Sequence, residues 1–188
     1  IAGGGASGFI NQVMGNYGSV GGGYSNTASD GATVDGGIEN AASGSASTVG
    51  GGYRDTASGV HATISGGDNN RASGDASTVG GGHINTASNT YATVGGGAVN
   101  IASALSSAVG GGTQNLASGS YSTVGGGQND TASGFGATVG GGIDNSASSV
   151  AATVGGGTSN LALGISSTVA GGNSNEASGS YAAIAGGL

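Results

Sequence analysis

Ala117-Ser118-Gly119-Ser120-Tyr121-Ser122-Thr123-Val124-Gly125-Gly126-Gly127-Gln128-Asn129-Asp130-Thr131 is one sentence of a 15-residue repeat. It returns along most of the chain, anchored at Val34, Val49, Ile64, Val79, Val94, Val109, Val124, Val139, Val154, Val169 and Ile184, with nothing inserted or lost between anchors. A period this short holds no domain of its own, and one this regular is no linker. It predicts one coil of a solenoid, whose copies bury a core only by stacking.

The sentence divides into two similar halves, Gly-x-x-Ser-Thr-Val-Gly-Gly and Gly-x-x-Asn-Thr-Ala-Ser-Gly. Each holds a short β-type run closed by glycine. The expected fold is therefore all-β: a parallel β-roll with two short strands and two glycine turns per coil. Side chains alternate across a strand. With Val124 inward, Ser122 is also inward, and Thr123 and Tyr121 face out. In the other half Ala132 and Asp130 face in, and Thr131 and Ser133 face out. The residue two places before the alanine is a carboxamide or carboxylate in every coil, from Asn26 and Asn40 through Asp55 to Asn175. One such group per coil makes a poor cation site. The expected role is a ladder in which each side chain bonds the turn and the next rung.

The chain has 188 residues, 47 of them glycine, with no proline or cysteine. Glycine without a three-residue period excludes collagen. Disorder is disfavoured because only 6% of residues are charged and a β-branched residue returns in every period. Lysine and arginine total 2 against a net charge of −7, so no basic stripe exists for nucleic acid or an anionic membrane surface. No run approaches the ~18 apolar residues of a spanning helix, so direct membrane insertion is not expected.

About a dozen coils at ~4.8 Å per rung predict a rod roughly 55–60 Å long. Residues 20–188 read as a single solenoid domain, and 1–19, which break the period, as an irregular N-terminal coil or cap. The abrupt start and mid-repeat finish suggest a segment of a longer fibre. Each coil buries little beyond one valine and one alanine. That thin core favours rods associating side by side, with Ile101, Leu116 and Leu161 as candidates to pack against a neighbour.

Function must lie in the outward columns. One is a threonine file, Thr33, Thr48, Thr63, Thr78, Thr93, Thr123, Thr138, Thr153 and Thr168, interrupted at Ala108 and Ala183. Strand propensity explains it, and an ice-binding file is the alternative. Against ice, a glycine usually follows each valine, leaving a single file, and the column two places before the threonine is uneven. That uneven column carries Tyr91, Tyr121, Tyr181 and His61, the candidate adhesive surface for a receptor, glycan or matrix. His61 and His83 occupy different places in the coil, and no catalytic constellation, metal site or cofactor site is legible. No enzymatic activity is expected. Asn129-Asp130-Thr131 fits a glycosylation sequon.

The copies Gly44 to Gly50 and Gly119 to Gly125 resemble the head repeats of trimeric autotransporter adhesins (YadA-like heads), although this chain has Thr-Val-Gly-Gly-Gly where that family often has Val-Ala-Ile-Gly. The resemblance implies a left-handed parallel β-roll that trimerises and adheres to host matrix or cells, extracellular or at the cell surface. The two half-coils are also similar to the half-repeats of plant β-roll antifreeze proteins, which implies the same fold as a monomer binding ice. The reading is an adhesive or structural segment of an extracellular fibre. Ice binding is the alternative, and a phage or appendage fibre of purely structural duty the third.

Overall fold

A threonine followed by valine is the shortest segment that extends comfortably and keeps one side chain dry. The computed structural model, which describes residues 8–188, uses it as such. Strands of two residues, from Gln12–Val13 to Ala183–Ile184, alternate between two parallel 12-stranded sheets. One sheet is built from the Thr-Val pairs, the other from the Thr-Ala pairs. Each strand pairs with its counterpart one coil later, as Thr123 with Thr138 and Val124 with Val139. Thr123 N–H donates to Ala137 O and Gly125 N–H to Val139 O, both at 2.9 Å. No helix is present among the described residues.

The inward columns are dry. The anchor valines from Val34 to Val169, together with Ile64, have at most 1% of their surface exposed, and Ile184 at the last rung is half-buried. Opposite them runs the alanine column from Ala28 to Ala177. Two residues before each valine lies a small side chain, alanine at 62 and 92, serine at 47 and 77. Ser47 and Ser77 hydroxyls return their hydrogen to Gly44 O and Gly74 O, which satisfies a buried hydroxyl locally.

Reading the sequence assigns both turns to glycine; the structure divides the work. Apart from Gly31 and Gly136, each corner is occupied by a non-glycine residue in the left-handed region. Tyr121 (φ 60°) and Ala151 (φ 53°) do this at one corner, Asn129 (φ 57°) and Asp144 (φ 58°) at the other. Left-handed backbone costs an L-residue roughly 1–2 kcal/mol. Here it turns the corner N–H back onto the preceding coil: Tyr121 N–H donates to Leu105 O at 2.8 Å and Asn129 N–H to Thr113 O at 3.0 Å. Beside the second corner a file of single bridges links Tyr24 to Ile38 and so on to Asn173. The coils are thus stitched along four lines, where alternation in the sequence shows only two.

Glycine is required for two separate reasons. Gly127 has φ 95°, and a Cβ there would fall 2.4 Å from Gly142 O. Gly119 has an ordinary φ, but a Cβ would fall 2.0 Å from Gly134 O in the next coil.

At the N-terminal end, Ile1 to Ser7 of the expected cap lie outside the described residues. Gln12–Val13 and Ser19–Val20 pair with the following coil. The single irregularity in register is a 14-residue step from Val20 to Val34 and from Ala28 to Ala42. It falls at the corner Ser29-Asp30-Gly31-Ala32, one residue shorter than Ser43-Gly44-Ser45-Ala46-Ser47 in the next coil.

Candidate functional surfaces

The buried polar column forms a continuous ladder. Asn85 Nδ2 donates to Gly81 O at 2.9 Å and Gly97 O at 2.8 Å, and its Oδ1 accepts from Asn100 N–H at 3.0 Å. Asn100 repeats the pattern with Gly96, Gly112 and Asn115. Each carboxamide therefore has three backbone partners, one in its own coil and two in the next. Among the described residues no group of three or more His, Cys, Asp or Glu side chains could hold a metal ion, and no helix is long and apolar enough to cross a membrane.

The two corners differ in chemistry. The corner carrying the single bridges holds the charge pairs, with exposed Ile84, Val99 and Ile143 between them: Arg54 pairs with Glu39 one coil before it and lies 4.6 Å from the Tyr53 ring centroid. His83 Nδ1 lies 2.9 Å from Asp68 Oδ2, and Asn129 donates to Asp144. These contacts are exposed and contribute little stability, but they leave few unpaired charges on that edge.

The opposite corner is apolar over half its length. Tyr91, Tyr121, Tyr181 and His61 stand here, all exposed and all in left-handed corner geometry. They do not lie on a strand, so their outward direction comes from the turn. The residue immediately before this column varies in a complementary way. From Tyr91 onwards, where the corner position is small, a large apolar side chain precedes it: Leu105 before Ser106, Phe135 before Gly136, Val150 before Ala151, Ile165 before Ser166. Where tyrosine holds the corner, Thr90, Ser120 or Ser180 precedes it. Seven consecutive coils thus each contribute one large apolar group, forming a ridge from Tyr91 to Tyr181. Phe135 is 57% exposed and packs edge-on against Tyr121, centroids 5.4 Å apart. Reading one column at a time misses Leu105, Phe135, Val150 and Ile165; the signal was the compensation between adjacent columns.

The threonine file lies elsewhere, on the Thr-Val sheet, with Thr63, Thr78 and Thr93 in register one rung apart. Thr93 and Thr123 are exposed, and Thr33, Thr48, Thr63, Thr78, Thr138, Thr153 and Thr168 are half-buried. Alanine replaces threonine at 108 and 183 in the same register. On the Thr-Ala sheet Ile101 and Leu116 are paired neighbours, and Leu161 faces Glu176 in the following coil. His61 and His83 sit on opposite corners and form no site together.

Residues 62–74 and 167–179 match the family model described as the ubiquitous surface protein adhesin repeat. Both segments begin at the same phase of the coil and run from the Thr-Val strand, through the glycine corner and the asparagine rung, to the glycine after the Thr-Ala strand. No curated protein matches the chain. The adhesin-repeat matches and the parallel solenoid fit the β-roll repeats of trimeric autotransporter adhesins, and describe an adhesin-like, repetitive structural segment.

Proposed function

We propose that this chain is a non-enzymatic segment of an extracellular or cell-surface fibre, assembled as a homotrimer, whose apolar ridge is the adhesive surface. The observation that carries the reading is the ridge itself. It is a file of exposed tyrosine, phenylalanine, valine and isoleucine side chains, with Leu105 half-buried among them, on a roll whose repeat matches an adhesin family. Aromatic groups on a rigid backbone suit interfaces because they cover apolar area with few rotamers to freeze. His61 and Val60 extend the edge towards the N-terminus with a gap at Asp75 and Ala76. The partner is a host receptor, glycan or matrix protein. Assembly uses the Thr-Ala sheet, where Ile101, Leu116 and Leu161 add apolar area beside threonine, leaving the ridge free. Of the expected cap, the described residues 8–19 cover that end of the roll; Phe9, whose ring lies 5.6 Å from Tyr24, supports that assignment.

Light scattering together with adhesion to immobilised matrix or cells tests the proposal. The expected result is a trimer whose adhesion is lost in Tyr91→Ser/Tyr121→Ser/Phe135→Ser/Tyr181→Ser while the trimer persists. A monomer sinks the assembly, and full adhesion by the variant sinks the ridge. Ice binding remains the second reading, resting on the threonine register; thermal hysteresis of a monomer would establish it in place of the fibre.

A further inference from the structure

Of the described rungs in the buried polar column, two depart from asparagine: Asp55 and Asp130. Both are fully buried. Each accepts through Oδ1 as an asparagine does, Asp55 from Asn70 N–H at 2.7 Å and Asp130 from Asn145 N–H at 2.8 Å. The second oxygen differs. Asp55 Oδ2 and Asp130 Oδ2 are buried with no hydrogen-bond partner. They stand where asparagine holds its Nδ2: a Cβ on Gly52 would fall 2.6 Å from Asp55 Oδ2, and one on Gly67 would fall 2.5 Å from Asn70 Nδ2.

At that place asparagine donates to the glycine carbonyls four residues before it and twelve after it, as Asn40 does to Gly36 O and Gly52 O and Asn115 to Gly111 O and Gly127 O. The counterparts are Gly51 and Gly67 for Asp55, and Gly126 and Gly142 for Asp130. An ionised carboxylate would turn an acceptor towards acceptors in a dry interior, without a proton between them. A protonated carboxyl supplies the missing donor. The neighbouring rungs, Asn40 and Asn70 or Asn115 and Asn145, carry no charge. Arg54 follows the chain outwards and is committed to Glu39. The charges that act on them, Asp68 on Asp55 and Asp144 on Asp130, are of the same sign.

We propose that Asp55 and Asp130 are proton-binding sites: the folded rod holds each as a neutral carboxylic acid whose Oδ2–H donates to a glycine carbonyl in place of the asparagine amide. Burial, the largest influence, pushes both carboxyls above the ordinary 3.8, against the lowering effect of the bonds from Asn70 and Asn145. The folded chain therefore binds protons that the unfolded chain releases. Stability is full below pH 3.8, falls as pH rises from there through the folded-state pKa, and is flat above it. Within that window each aspartate lowers the folded-to-unfolded ratio about ten-fold per pH unit. The rod then has two base-weakened rungs among carboxamides that do not titrate.

Two measurements decide it. Denaturant unfolding from about pH 3 to about pH 9 compares the wild type with Asp55→Asn/Asp130→Asn. In acid the variant should lead only by a constant margin, the second amide hydrogen that a carboxylic acid lacks, and its lead should grow as pH rises, by about ten-fold per unit and per site inside the window. Parallel profiles throughout, or a variant less stable near pH 8, overturn the proposal. Carboxyl ¹³C titration of the folded wild type should place Asp55 and Asp130 above the ordinary 3.8; titration at or below that value overturns it.

Discussion

Asparagine 100 does in one side chain what a turn ordinarily needs several residues to do. Its amide bonds Gly96 O and Gly112 O, and its oxygen takes the N–H of Asn115. Asn100→Ala strips a donor from two carbonyls at the half-buried corner, of which Gly112 O keeps the N–H of Ala98, and leaves the buried N–H of Asn115 without its acceptor. Each buried group left alone costs roughly 1–3 kcal/mol. The variant is expected to lose at least that much against denaturant while keeping its β-type circular dichroism. The asparagine column was legible in the sequence because it never fails, and its bonding followed from having one amide per coil. The unpartnered oxygens of Asp55 and Asp130 were not legible. Seeing them requires knowing which oxygen replaces Nδ2 and that both positions are sealed.

The two-residue strands were also legible, through valine and alanine at a fixed spacing. The corners were not. Tyr121 carries no signal of left-handed backbone, since tyrosine rarely adopts it, and although Asn129 and Asp144 are of types that do, the adjacent glycines drew the assignment. What decides the geometry is the stacking itself, which rewards a corner N–H that reaches the preceding coil. The glycine triplet offers a matched test. Gly127→Ala places a methyl against Gly142 O at a φ that side chains avoid, whereas a Cβ on Gly126 meets nothing within 4 Å. Gly127→Ala should cost roughly 1–3 kcal/mol and Gly126→Ala well under that, read as the difference in melting temperature. Equal effects would mean that composition, not conformation, explains the triplets.

For the whole molecule, every coil meets its neighbours through the same backbone lines, so stability is a sum of near-identical interfaces. Removing one whole coil, residues 101–115, joins Asn100 to Leu116 and restores every register. Removing 101–107 exchanges the Thr-Ala and Thr-Val phases and breaks the asparagine ladder. The first deletion should fold with a cooperative transition and the second should not, as thermal unfolding monitored by circular dichroism would show. The chain also divides by surface: charge pairs gather on one edge, and from Tyr91 onwards large apolar groups gather on the other. That segregation was half visible in the sequence, as one variable column, and became a ridge only when two columns were seen to share a corner.

The hydrogen bonds between coils lie along the rod, so they carry any load applied to its ends. Pulling would open one coil at a time and leave the remainder folded. A coil adds ~4.8 Å to the intact rod, yet its 15 residues reach roughly 50 Å once released. Under tension such a rod pays out length about ten-fold for each rung it gives up, and the neighbouring rung is a template on which the freed coil can rewind.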